Sequence, residues 1–277
     1  MRACVAICAV LDGLPSGGRL VVLQLPGTHR WLSNLGRRSE QVVGNGRSAG
    51  VQASTAADPG LMLWSGGVAP FIDRPEVIKV GPMVVGVYGG RSAAGAVRND
   101  GAATARFDHG FEAAVVADGH HDNDASALVV RLLSEASDIH QMLAMLQAAD
   151  TSGMRGVTTL IALVRRERQL HWLSIGDCVA FALHADLMAL GQYALNQRAF
   201  YEWFGPGGAI VSLASGIHAL REGRTRIMAA TQGALPHIDL AEMARGTPFD
   251  RVEELLLRTH QERSTENATV VAWDVVV

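Results

Sequence analysis

Short apolar runs bounded by glycine, aspartate or charged turn residues recur along the second part of this 277-residue chain. Runs of this length are typical of buried β-strands. Three of them follow one another closely, and this spacing predicts consecutive antiparallel strands with tight turns at Arg166-Glu167 and Gly176-Asp177. The predicted strands cover residues 83–88, 111–117, 158–164, 170–175, 179–184, 225–230 and 268–276.

Helical periodicity occurs in separate stretches. Apolar residues at intervals of three and four predict one long amphipathic helix over residues 124–149, and shorter helices over residues 239–244 and 250–263. Residues 191–219 lack either period and are interpreted as irregular. Because strands come in runs and do not alternate with helices, the pattern favours an α+β fold with antiparallel sheets.

The composition changes near residue 80. Residues 1–80 contain 8 basic and 5 acidic residues and several clusters of glycine, serine and proline, whereas residues 81–277 contain 16 basic and 22 acidic residues. Such clusters mark turns and loops. We therefore expect residues 1–80 to be a partly disordered extension and residues 81–277 to form the main domain.

Overall composition excludes several classes of protein. A net charge of -3, with 48% hydrophobic and 18% charged residues, is typical of a globular chain and argues against a nucleic-acid partner. Three cysteines are too few for a disulfide framework, which favours a reducing, cytoplasmic location. Since no apolar run reaches the roughly 18 residues of a membrane span, we expect no membrane association.

The densest group of polar residues is Asp-Gly-His-His-Asp-Asn-Asp at residues 118–124, between a predicted strand and the long helix. Asp118 and the carbonyl of Gly119 offer two oxygen ligands to a hard cation such as Mg²⁺ or Mn²⁺. The same residues also fit a polar loop with a helix cap, which is the commoner role of this pattern taken alone. His120 is a candidate proton donor, although most isolated loop histidines are simply solvated.

Five short motifs follow one another along the second part of the chain. They are Phe-Glu-Ala-Ala-Val-Val-Ala-Asp-Gly-His, Gly-Val-Thr-Thr, Ser-Ile-Gly-Asp-Cys-Val-Ala, Ala-Thr-Gln-Gly-Ala-Leu and Glu-Asn-Ala-Thr-Val-Val. No single motif is specific, but the order of all five resembles the metal-dependent protein phosphatases, the PPM or type 2C serine/threonine phosphatase family. The resemblance extends from about residue 90 to the end of the chain.

The resemblance implies a four-layer α-β-β-α sandwich of two antiparallel sheets flanked by helices. It also implies up to two Mn²⁺ or Mg²⁺ ions that activate water to attack a phosphate monoester. Carried over by motif, His120 matches a general acid. The family's phosphate-binding arginine has no gap-free counterpart here, and Arg91 or Arg98 is the candidate for that role. The metal ligands carried over in the same way are Asp100, Asp118, Gly119, Gln232 and Glu266.

Several positions depart from the family pattern. Gly101 replaces an aspartate, Gln232 replaces another, and Glu266 replaces a third with a longer side chain. A neutral amide is a weaker ligand than a carboxylate for a hard dication that must give up water. We therefore expect one of the two metal sites to be weakened. His121 and Asp122 also stand where the family has two glycines, and they add side chains at the mouth of the site.

Three functions remain open from the sequence. The first is a bacterial serine/threonine phosphatase of reduced activity, acting on a phosphoprotein or a cognate kinase. The second is a pseudophosphatase that binds such a partner without cleaving it. The third is a hydrolase that uses His120, His121 and Asp118 to bind a different metal such as zinc. The sequence leaves the oligomeric state undetermined.

Overall fold

The computed structural model describes residues 19–22, 60–67, 74–90, 99–108, 110–189, 194–195, 202–207, 214–262, 264 and 266–277. These residues form twelve strands and five α-helices. The strands are β1 Arg19–Val22, β2 Gly60–Gly67, β3 Glu76–Val80, β4 Met83–Tyr88, β5 Asn99–Asp108, β6 Phe111–His120, β7 Val157–Arg166, β8 Gln169–Ile175, β9 Val179–Leu183, β10 Ala214–Ala219, β11 Arg224–Ala230 and β12 Ala268–Val276. The helices are α1 Asp124–Leu133, α2 Ile139–Ala148, α3 Ala185–Ala189, α4 Leu240–Met243 and α5 Pro248–Gln261.

Two sheets contain all of the described strands. One has seven strands in the order β1-β2-β5-β6-β7-β8-β10, and the other has five in the order β3-β4-β12-β11-β9. Neighbouring strands are antiparallel, apart from the parallel pair of β1 and β2. The central strands are apolar on both faces, as in β4, where all six residues are buried. Such strands must be covered on both sides.

Three apolar cores lie between four layers. The first fills the space between the two sheets and includes Trp273 and Ile161. The second joins the seven-stranded sheet to α1 and α2, and the third joins the five-stranded sheet to α4 and α5. Each sheet therefore buries one face on the other sheet and one on helices. The predicted α+β sandwich of four layers is confirmed.

The single helix predicted over residues 124–149 is wrong. The structure has two helices, α1 and α2, separated by residues 134–138. Asp138 begins α2, and its side chain accepts a hydrogen bond from the backbone N–H of Gln141 at 2.8 Å. A capping aspartate in extended conformation starts a new helix, and apolar periodicity on either side of it does not reveal the break.

The predicted pairing of strands on either side of Gly176-Asp177 is also wrong. Strand β8 belongs to the seven-stranded sheet and β9 to the five-stranded sheet, so this turn carries the chain from one sheet to the other. Gly176 has a φ of 85°, a conformation that favours glycine. Within the region interpreted as irregular, residues 214–219 form β10, which pairs with β8.

Strands that precede residue 81 take part in both sheets. Strand β2 pairs with β5, and β3 pairs with β4. The division of the chain at residue 80 stays a prediction, but these pairings place the strand at residues 76–80 in the same sheet as β4. No helix in the described part of the chain is long and apolar enough to span a membrane.

Candidate functional site

The strand ends nearest the candidate residues lie at one end of the sandwich. In the seven-stranded sheet, Asp118 on β6 is opposite Gly101 on one side and Thr159 on the other. In the five-stranded sheet, β11 ends just before Gln232 and β12 begins just after Glu266, and these two strands pair with each other. The topology therefore brings residues that are far apart in sequence to the same end of the sandwich.

Asp118 is the central side chain of the candidate site at this end of the sandwich. It is 5% exposed, and its carboxylate accepts hydrogen bonds from the side chain of Asn267 and the backbone N–H of Gln232. Burial raises the pKa of Asp118 to about 7, with smaller increases from the negative charges of Asp177 and Glu266, while the two hydrogen bonds oppose the rise. The structure thus brings the predicted positions 118, 232 and 266 together.

Asp177 is a buried carboxylate that the sequence interpretation treated only as a turn residue. It is 4% exposed, and its Oδ1 accepts a hydrogen bond of 2.8 Å from the hydroxyl of Thr159. Its Oδ2 is buried and has no hydrogen-bond partner among the described residues. Its negative charge lies close enough to Asp118 to contribute to the raised pKa of Asp118. The signal in the sequence was the aspartate directly after a strand within a recognised motif.

Cys178 lies behind these acids. It is fully buried, and its sulfur is 3.5 Å from the Thr159 hydroxyl. Burial raises the pKa of the Cys178 thiol, and the charge of Asp118 adds to the rise. A thiol in this environment stays protonated and unreactive, so it contributes packing and not nucleophilic chemistry.

Asp100 occupies the opposite face of the seven-stranded sheet from Asp118. Successive side chains of a strand point to opposite faces of the sheet. A Cβ on Gly101 would contact the side chains of Asn267 and Thr269. Asp118 pairs with Gly101 and therefore points to the same face. Asp100, the adjacent residue, therefore points towards α1, where its backbone carbonyl accepts a 2.6 Å hydrogen bond from the Ser126 hydroxyl. The residue of β5 that pairs with Asp118 is Gly101.

Gly119 and His120 complete the end of β6. A Cβ on Gly119 would lie 2.4 Å from the carbonyl oxygen of Asp100, so this position accepts only glycine. His120 is partly buried at the last position of the strand. His121 follows with a φ of 73°, an uncommon conformation for a residue with a side chain. An exposed imidazole therefore lies in a strained turn beside the end of β6.

The start of α1 tests the helix-cap interpretation. Asn123 is the N-cap residue, but its side chain makes no capping hydrogen bond. Asp122 instead accepts a hydrogen bond from the Asn123 N–H at 2.8 Å, and Arg155 forms ion pairs with Asp122 and Asp124. These acids are therefore engaged in holding the loop. The two predicted phosphate-binding residues, Arg91 and Arg98, lie outside the described residues.

Solved structures of serine/threonine phosphatases superpose on the chain. One is the S. agalactiae serine/threonine phosphatase, with a TM-score of 0.51 and 15% identity over 74% of this chain and 99% of that one. Another is RsbX in complex with magnesium, with a TM-score of 0.56 and 13% identity over 73% and 100%. A third is the PPM Ser-Thr phosphatase MsPP from Mycobacterium smegmatis in complex with cacodylate, with a TM-score of 0.50 and 15% identity over 72% and 98%.

The chain has the fold of the PPM phosphatases. This confirms, for the fold, the resemblance inferred from the order of the five sequence motifs. No family model and no curated protein matches the sequence. Because the identities to the solved structures are low, the function has to be inferred from the residues of the site.

The residues present do not fit a centre of two metal ions. Within the ranges that the structure describes, no group of three or more histidine, cysteine, aspartate or glutamate side chains is arranged to hold an ion. Gly101 and Gln232 contribute no charge beside Asp118, and Asp100 points to the other face. Two dications held close together need several carboxylates to offset their charge. The described residues around Asp118 therefore offer fewer carboxylates than a centre of two metal ions needs.

Proposed function

We propose that this chain is a pseudophosphatase, a PPM-fold protein that binds a phosphoprotein or its serine/threonine kinase without rapid hydrolysis of the phosphate. The main observation in support is that the residues beside Asp118 at positions 101 and 232 are neutral. A cage for two dications that lacks two negative charges binds the ions weakly, because hydrated Mg²⁺ and Mn²⁺ give up water only for strong oxygen ligands. The fold neighbours, which are phosphatases, support a phosphorylated partner.

The proposal predicts the absence of metal-dependent turnover. Purified protein is incubated with p-nitrophenyl phosphate or a phosphothreonine peptide in millimolar Mn²⁺ or Mg²⁺, and phosphate release is measured. We expect the same background rate for the natural protein and for Asp118→Asn, because no complete metal centre exists for the substitution to destroy. A rate that the natural protein shows and Asp118→Asn loses would contradict the proposal.

A slow phosphatase is the second candidate, and one observation favours it. Asp118, Asp177 and Glu266 are close enough for their charges to act on one another, and a single cation would relieve that repulsion. In this version Asp118, the Gly119 carbonyl and Glu266 would hold one ion, His120 would donate a proton, and Arg91 or Arg98 would bind phosphate.

Calorimetric titration with Mn²⁺ separates the candidates. We expect no measurable binding to the natural protein and measurable binding to Gln232→Asp, which adds one negative charge at position 232. Gln261→Asp, at the exposed end of α5, adds the same charge elsewhere and serves as the control. Micromolar binding of Mn²⁺ to the natural protein would favour the slow phosphatase.

The proposal also covers the location, domain organisation and partners of the chain. It includes a cytoplasmic location, an extension formed by residues 1–80, and no nucleic-acid or membrane partner. The zinc hydrolase is not favoured, because His120 and His121 are adjacent residues in a strand end and a turn of positive φ. Elemental analysis of the purified protein tests for zinc directly.

A further inference from the structure

Strand β10 forms one edge of the seven-stranded sheet. It pairs with β8 on one side, and among the described residues no strand pairs with its outer side. Its six residues follow a continuous antiparallel register with β8, without a bulge. None of the six is a proline, a lysine, an arginine or an acidic residue. The strand therefore presents a regular row of backbone groups that can pair with another strand.

The odd-numbered residues of β10 direct their backbone groups outward. The N–H of Leu220, directly after the strand, bonds to the carbonyl of Arg168 at 2.8 Å and continues the register with β8. Because hydrogen-bonded and non-hydrogen-bonded pairs alternate along an antiparallel ladder, the even-numbered residues of β10 bond to β8. The residues whose N–H and carbonyl lie on the outer side are Ser215, Ile217 and Ala219.

The side chains of the same three residues are exposed on the outer face of the sheet. A Cβ on Gly216 would lie 2.7 Å from the ring of Trp172, which packs against the core between the two sheets. The odd-numbered side chains point the opposite way. Ile217 is 64% exposed although it lies in the middle of a paired strand. A large apolar side chain at the centre of a regular edge favours pairing with another chain.

Two other sheet edges are protected by devices that β10 lacks. On the outer side of β9, the N–H of Leu195 bonds to the carbonyl of Ala180 at 2.9 Å, so a further segment of the chain covers that edge. Strand β3, at the other edge of the same sheet, has the exposed Lys79. A lysine on an edge strand opposes pairing with a second chain. Among the described residues, neither device is present at β10.

The sequence of β10 is complementary to a second copy of itself. An antiparallel pair of identical strands has a two-fold axis, and an axis at Ile217 places this residue opposite its counterpart. Ser215 of each copy is then opposite Ala219 of the other. Each of these residues exchanges both backbone hydrogen bonds with the residue opposite it. The two isoleucine side chains meet, and no like charges are opposed across the pair.

We propose that β10 is a homodimerisation edge, at which two copies of this chain join their seven-stranded sheets into one continuous sheet about a two-fold axis at Ile217. The occupant of the edge is thus a second copy of the chain, and the inference does not depend on a phosphorylated partner. Specific interfaces bury about 1,200 Å² or more, and one short strand provides little of that area. We therefore expect a dissociation constant of about 10 μM.

Sedimentation equilibrium of the full-length protein between about 1 and 100 μM tests the inference. We expect the natural protein to change from monomer to dimer over this range. Ile217→Lys opposes two like charges across the axis, and we expect it to weaken dimerisation at least tenfold. Leu257→Lys adds the same charge at a 44% exposed position on α5. It is the matched control and dimerises like the natural protein.

A mixture of two variants tests the axis. Ile217→Glu alone should be as monomeric as Ile217→Lys, because it also opposes like charges. An equimolar mixture of Ile217→Lys and Ile217→Glu should recover a dimer, since opposite charges then lie across the axis. A loss of dimerisation caused by misfolding is not reversed by mixing. Circular dichroism establishes that each variant is folded.

Each outcome supports or overturns the proposal. A natural protein that stays monomeric up to about 100 μM overturns it. A dimer that Ile217→Lys leaves intact also overturns it, because the interface then lies on another surface. If the mixture recovers no dimer, the two-fold axis at Ile217 is wrong and the proposal fails. None of these results affects the proposed function, which is tested by phosphate release and by titration with Mn²⁺.

Discussion

Asp118 couples the candidate site to the stability of the fold. Its folded-state pKa of about 7 lies above the unfolded value of 3.8, mainly because the carboxylate is buried. The folded state therefore binds the proton more tightly than the unfolded state does. The resulting stabilisation is fully present below about pH 4 and is lost as the pH rises through about 7.

The first prediction concerns this pH dependence in buffer containing a chelator. A rise of the pKa from 3.8 to about 7 corresponds to about 4 kcal/mol, so the free energy of unfolding should fall by about that amount as the pH rises from 4 to 8. Urea denaturation of the natural protein and of Asp118→Asn measures the difference. We expect the pH dependence of the free energy of unfolding to be smaller in Asp118→Asn than in the natural protein, and Glu135→Gln, at an exposed position, to behave like the natural protein.

The sequence was sufficient to propose that positions 118, 232 and 266 lie together, because the order of motifs in a recognised fold carries that information. It did not reveal that Asp100 points to the other face, since this depends on which residue of β5 is opposite Asp118. Nor did it reveal the buried state of Asp177. This depends on the path of the chain from one sheet to the other, which has no periodic signal.

At the level of the element, residues 134–138 separate two helices that share one apolar period. Ala136 is buried in the gap, and the hydroxyl and backbone N–H of Ser137 both contact the Gln141 side chain at 2.9 and 2.7 Å. Asp138 caps α2, and the hydrogen bond from the Gln141 N–H lowers the pKa of Asp138. Local side-chain bonds of this kind compete with helix continuation, which explains why periodicity alone predicted a single helix.

The second prediction concerns this cap. Asp138→Ala removes the acceptor for the Gln141 N–H, and we expect it to lower the free energy of unfolding by about 1 kcal/mol, the usual loss for a helix N-cap. Glu135→Ala, in the same connection but exposed and outside the cap, should change stability by less than about 0.5 kcal/mol. Denaturation of both variants at pH 7 provides the measurement. Equal values for the two would show that the cap is not stabilising.

The strands themselves were largely predictable, while their partners were not. Strands β7, β11 and β12 lie within a few residues of the predicted ranges, because apolar runs bounded by turn residues mark strands that are buried on both faces. The apolar sequence pattern of β8 and β9 is the same whether the two strands pair with each other or belong to different sheets. Only the stacking of two sheets, which is a long-range property, decides that the turn at Gly176 crosses between them.

On the scale of the whole molecule, a buried polar network joins the two sheets away from the candidate site. Glu112, at the start of β6, accepts a 2.6 Å hydrogen bond from the indole of Trp273 on β12 and two hydrogen bonds of 2.6 and 2.7 Å from Arg165 on β7. Glu112 is 5% exposed and Trp273 is fully buried. Six residues of β6 separate Glu112 from Asp118, or about 20 Å, so the network and the site lie at different ends of the sandwich.

The third prediction follows from that separation. Glu112→Ala leaves the Arg165 guanidinium and the Trp273 N–H without their acceptor between the sheets, and we expect it to lower the free energy of unfolding by about 3 kcal/mol. Glu253→Ala, at an exposed position of α5, should cost less than about 0.5 kcal/mol. Phosphopeptide binding by folded Glu112→Ala should equal that of the natural protein, because Glu112 lies about 20 Å from Asp118 along β6. A loss of binding without a loss of stability would instead mean that the two ends of the sandwich are coupled through β6.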